Sequence, residues 1–101
     1  MWACFNNAFV SAVQDKNKKD GLVIRARRRD HLEKLFPEDK VIVNGGTDYK
    51  YRVYVSKEKY AELVKNAILG IDYGNFKNSV RDDDLHDLYN GFWYMHYKMQ
   101  R

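Results

Sequence analysis

The apolar positions change period several times along this chain, and each change marks an element. Trp2-Ala3-Cys4-Phe5 and residues 8–14 are strand-like, and Asn6-Asn7 between them suit a bulge or a turn. Residues 15–21 offer nothing apolar to bury before Gly21, so they predict a solvated connection that closes a hairpin. Leu22, Ile24 and Ala26 then alternate with Val23, Arg25 and Arg27, giving a strand with an apolar face and a partly basic one. Asp30 and Glu33 have the spacing of a capping box, which predicts a short helix that buries Leu32, Leu35 and Phe36 and stops at Pro37.

The central pattern follows. Lys40-Val41-Ile42-Val43 runs into Gly45-Gly46, a pair able to take the positive φ of a tight reversal, and an alternating run leads out of it. On that run Tyr49, Tyr51, Val53 and Val55 are expected to face a core, and Lys50, Arg52 and Tyr54 to face outward. Ser56 is placed to cap a helix carrying Tyr60, Leu63, Val64, Ala67, Ile68 and Ile71, with Gly70 near its end. Asp72 is expected to cap a short helix burying Tyr73, Phe76 and Val80. The triplet Asp82-Asp83-Asp84 suits the positive end of a last helix with Leu85, Leu88, Phe92, Met95 and Met99 on one stripe. The expectation is an α+β domain: an antiparallel sheet of two hairpins in ββαββα order, ferredoxin-like or related, helices on one face and an added C-terminal helix.

With 101 residues there is room for one domain, and an aromatic content of 15% excludes a disordered chain. Eighteen Lys and Arg against 14 Asp and Glu give a formal charge of +4, which permits an anionic partner and excludes an acidic DNA mimic. Cys4 is the only cysteine, so no internal disulfide or cysteine-based zinc site is expected; it reads as a buried small hydrophobe in a reducing, cytoplasmic setting. No run approaches the ~18 apolar residues of a membrane span.

Five segments carry a resemblance: Phe9-Val10-Ser11-Ala12-Val13, Val23-Ile24-Arg25-Ala26-Arg27, Gly46-Thr47-Asp48-Tyr49-Lys50-Tyr51-Arg52, Ile71-Asp72-Tyr73-Gly74-Asn75-Phe76-Lys77, and the stretch holding Trp93, Tyr97 and Gln100. In that order the chain resembles a family of small, uncharacterised bacterial single-domain proteins with GTDYxYR, DYxNFK and C-terminal WxxxYxxQ patterns. Trp2 also stands at a matching place, whereas Asn6-Asn7 and the short segment between Phe36 and Val41 depart from the pattern. The resemblance implies an intact fold and carries no chemistry.

Arg25, Arg27, Arg28, Lys50, Arg52 and Tyr54 form the candidate anion- or partner-binding set, joined by Arg29 and by Lys16, Lys18 and Lys19 in the loop. Cations with an interleaved ring suit single-stranded nucleic acid, although the outer side of any half-buried sheet is polar, and Asp48 or Asp72 could hold these arginines internally. Asp82, Asp83 and His86 supply too few donors for a metal. The Asp48-Tyr49 and Asp72-Tyr73 pairs read as turn and packing residues, with no nucleophile or phosphate loop beside them. No catalytic, cofactor or metal residue is therefore assigned.

Trp93, Tyr94 and Tyr97 lie outside the stripe of the last helix, leaving it apolar or aromatic over more than half its girth. A homodimer, another protein, or a wrap against Trp2 and Phe5 would each cover it. The expected function is binding of a protein partner without turnover. A nucleic-acid module is the rival, and a small enzyme the outside one. A compact binding domain of this size is also a format in which phages and mobile elements block host defence enzymes.

Overall fold

The computed structural model describes residues 1–101. Five strands are β1 (Trp2–Phe5), β2 (Ala8–Gln14), β3 (Gly21–Ala26), β4 (Ile42–Val43) and β5 (Tyr51–Ser56). The helices are α1 (Arg29–Leu35), α2 (Lys57–Leu69) and α3 (Asp83–Tyr97), with a 3-10 turn at Lys77–Ser79. All strand pairs are antiparallel, in the order β1-β2-β3-β5-β4. The chain is thus α+β, but the ββαββα ferredoxin-like order is not the one adopted. Asn6-Asn7 forms a turn, so β1 pairs with β2 and adds a fifth strand. From β3 the chain crosses through α1 to the far edge, and β5 then slots between β3 and β4.

Alternation along the strands sends side chains to two different covers. On one face Val10, Ala12, Ile24, Ala26, Val53 and Val55 pack with Leu32 and Phe36 beside α1 and with Tyr60 of α2. Phe9 points the other way and joins Val80, Leu85 and Tyr89, so the added C-terminal helix takes the opposite face. Trp2 lies on that side too, its ring stacked 6.0 Å from Phe92 and edge-on 5.8 Å from Phe9. Tyr89 fastens the arrangement, its single hydroxyl proton shared between the carbonyls of Phe5 (2.7 Å) and Ala8 (2.9 Å). Burial raises its pKa, which keeps the donated proton in place.

Local chemistry sets the ends of these elements. The Ser56 and Asp82 side chains accept from the amides of Lys59 and Leu85, capping α2 and α3 as expected, and Gly70 closes α2. Three local expectations are replaced. No capping box forms, because Asp30 lies inside the first turn of α1 and is held by Arg28. Asn75, and not Asp72, accepts from the amide of Asn78 at the 3-10 turn. Gly45-Gly46 does make a turn, with the Asn44 carbonyl accepting from the Thr47 amide at 3.4 Å, but neither glycine takes a positive φ and the loop runs on to residue 50 before strand pairing resumes.

Two substitutions separate the two covers. Leu32→Ala should cost about 3 kcal/mol by opening a cavity under α1, and Tyr89→Phe about 1–2 kcal/mol by removing a buried hydroxyl bond. Urea unfolding checks both. Hydrogen exchange should place the Tyr89→Phe loss in α3 and leave the Val53 side protected.

Candidate functional site

The strand registers align Trp2 with Ser11, Ser11 with Arg25, Arg25 with Arg52, and Arg52 with Ile42. These five side chains form one row across the whole sheet, on the face that α3 covers only at the β1 and β2 end. Two surfaces meet along it. Beyond α3 lies a cationic half on β3 and β5; beneath the C-terminal half of α3 lies an apolar groove.

On the cationic half, Arg25 Nη2 donates to Ser11 Oγ at 2.8 Å, and its guanidinium carbon lies 4.5 Å from the centre of the Tyr49 ring. Arg27 sits over the same ring at 4.1 Å and pairs with Asp48 through the carboxylate at 3.1 Å and through the backbone carbonyl. Tyr49 was expected in the core; it is buried instead beneath these arginines, because β5 begins only at Tyr51 and the alternation does not extend back to it. Tyr54 is 47% exposed and shares a cleft with Lys18 and Lys19 from the β2–β3 loop, where Asp15 and Asp20 stand beside them. Arg25, Arg52 and Tyr54 therefore do converge, with Arg27 at one end and the two lysines at the other.

Arg28 and Lys50 do not belong with them. Arg28 bonds both Asp30 oxygens at 2.9 Å and Asp82 at 3.1 Å, tying the start of α1 to the start of α3. It is a structural cation. Lys50 extends over Tyr51, whose ring packs against the core of the other face. Arg29 pairs with Glu33 on the surface of α1.

The apolar groove has a volume of about 900 Å³ and is lined by Trp2, Cys4, Phe76, Trp93, Met95 and Met99 among others. Of the expected stripe on α3, Leu85 is buried, but Met95 is 63% and Met99 80% exposed. The line that faces the sheet is Leu85 and Tyr89, both buried, and then half-buried Phe92, one turn apart each, because the sheet ends before Met95 is reached. Trp2 provides the expected wrap, over Phe92 only. Trp93 and Tyr97 stack on each other at 5.4 Å while remaining about half exposed, and Lys77 and Lys98 lie over Trp93 and Tyr94. Cys4 is exposed at this groove and is not a core residue, since its side of β1 is covered only in part.

His31 was not singled out by the sequence, yet it is buried with its Nδ1 accepting from the amide of Phe9 at 3.2 Å. Burial lowers its pKa, and accepting an N–H bond also favours the neutral ring. No spacing signal could have found it, since Phe9 is 22 residues away. No group of three or more His, Cys, Asp or Glu side chains is arranged to hold a metal, and no helix is long and apolar enough to cross a membrane.

These shifts set a pH dependence. His31 stays neutral in the fold while the unfolded chain takes up a proton near its ordinary 6.5, so stability is full above that value and falls as the pH drops below it. Asp82, bonded by the Leu85 amide and Arg28, has its pKa lowered, as does Asp30, where Arg28 outweighs burial. Their contribution is present above the ordinary 3.8 and is lost as the pH falls further. Urea midpoints should decline in two limbs: His31→Gln should remove the first and Arg28→Gln should weaken the second.

No protein-family model, curated protein or solved structure matches this chain.

Proposed function

We propose that this protein acts by binding a protein partner, without turnover, through the groove between β1 and the C-terminal half of α3. One observation carries the reading: Trp2, Trp93, Met95 and Met99 stand 45–80% exposed around a single apolar groove, with Tyr97 stacked on the outer ring of Trp93. A helix that only needed to cover its own sheet would end after Phe92. Aromatic side chains and Met are the residue types enriched where protein partners dock. Lys77 at the rim, over the Trp93 ring, suits an apolar segment that carries a carboxylate. Inhibition of a host defence enzyme by a phage or mobile-element protein is one setting that a binder of this size fits.

Trp93 and Tyr97 contribute little to the core, so Trp93→Ser with Tyr97→Ser should leave the thermal midpoint within a few degrees. Immobilised wild-type chain should retain a discrete protein from native lysate that this double variant loses by more than about tenfold and that Arg52→Gln retains. Identical retention by wild type and double variant overturns the reading. Sedimentation over a concentration series reads out self-association: a dimer abolished by the same substitutions would make the partner a second copy of this chain.

A further inference from the structure

The pairing of Arg25 with Arg52 in the middle of the sheet has no counter-charge. The two are register partners on β3 and β5, with both side chains on the face left open by α3. Like charges directly opposite each other on an antiparallel ladder repel. The arginines that follow β3 are paired by contrast: Arg27 meets Asp48, Arg28 meets Asp30 and Asp82, and Arg29 meets Glu33. Neither Arg25 nor Arg52 has a carboxylate partner. Ser11 takes one Nη2 bond of Arg25, while the Nε atoms of Arg25 and Arg52 are both shielded from solvent and have no acceptor.

Two guanidinium forks side by side with unused Nε–H donors are the arrangement that oxyanions satisfy, because each fork offers parallel N–H groups matched to phosphate or carboxylate oxygens. Two residues further along β5, Tyr54 faces the same side and is 47% exposed, with a cleft beyond it where Lys18 and Lys19 stand beside Asp15 and Asp20. The uncompensated charge of the arginine pair therefore lies next to an exposed aromatic ring. We propose that Arg25 and Arg52 form a site for the phosphate group of a nucleotide, with Tyr54 stacking the base. The ligand binds non-covalently, and the site is distinct from the apolar groove.

The test is an NMR titration of the full chain that follows the arginine Nε–H signals with three probes: inorganic phosphate, adenosine monophosphate and a short single-stranded oligonucleotide. The Arg25 and Arg52 signals should move together and saturate, with the mononucleotide bound at least about fivefold tighter than phosphate through stacking. Tyr54→Ala should reduce it to the phosphate level. Arg52→Gln should weaken all three probes at least about tenfold, with Arg29→Gln unchanged and thermal midpoints confirming that each variant is folded. An oligonucleotide bound more tightly than the mononucleotide, and weakened steeply by salt, assigns the site to a strand; equal affinity assigns it to a free nucleotide. The proposal is overturned by the absence of saturable shifts with every probe, by a mononucleotide no tighter than phosphate, or by unchanged binding in Arg52→Gln.

Discussion

Everything on the working face of this molecule follows from how much sheet one helix can cover. A helix with its side chains is about 10 Å across and strands lie about 4.8 Å apart, so α3 can shield roughly two of the five. It goes to β1 and β2 because Phe9 and Trp2 are the large apolar side chains pointing that way, and Tyr89 locks it there through the Phe5 and Ala8 carbonyls. The remaining strands on that side carry Arg25, Arg52 and Tyr54, which need no cover. Register makes the division sharp, since a slip of one residue would exchange these side chains for Ile24, Val53 and Val55 of the core.

The hairpins and the three main helices were legible because their signals are local. Alternation in residues 22–27 and 51–55 identified strands, and Ser56 and Asp82 announced helix starts one turn ahead of the amides they bond. What the sequence left hidden depends on long-range placement. Tyr49 continues the alternating pattern in the text of the chain, but the strand starts two residues later and the ring passes under Arg25 and Arg27. Met95 and Met99 fall on the same helical stripe as Leu85, and only the edge of the sheet decides which of them is buried. Asp30 has the spacing of a capping partner, yet Arg28, bound also to Asp82 54 residues away, competes for it. The ββαββα expectation failed at β1, where two asparagines settled as a turn and added a pairing.

The basic character of the chain is likewise uneven once it folds. A formal charge of +4 describes a total and says nothing of where the positive potential is available. Arg28 is consumed in joining α1 to α3, and Arg27 and Arg29 have carboxylates beside them, although these are exposed pairs of small energetic weight. The unpaired guanidiniums at Arg25 and Arg52 are partly buried and adjacent, so their charge is less screened by solvent than that of the exposed Arg27 and Arg29. Their mutual repulsion is a local cost that no carboxylate offsets, with only the Ser11 bond and the Tyr49 ring set against it on the Arg25 side.

That cost bears on how the two surfaces act together. Trp2 at the apolar groove and Arg52 at the cation pair belong to the same cross-strand row, with Ser11 and Arg25 between them. Arg25 already spans two of these positions through its bond to Ser11. An anion drawn to Arg25 and Arg52 would compete for that Nη2 donor and alter the support of Ser11, the direct register partner of Trp2. A partner on the groove would press on Trp2 from the other end. Any coupling between the two would be short, passing through adjacent side chains on paired strands, and any free energy it transmitted would act equally in both directions.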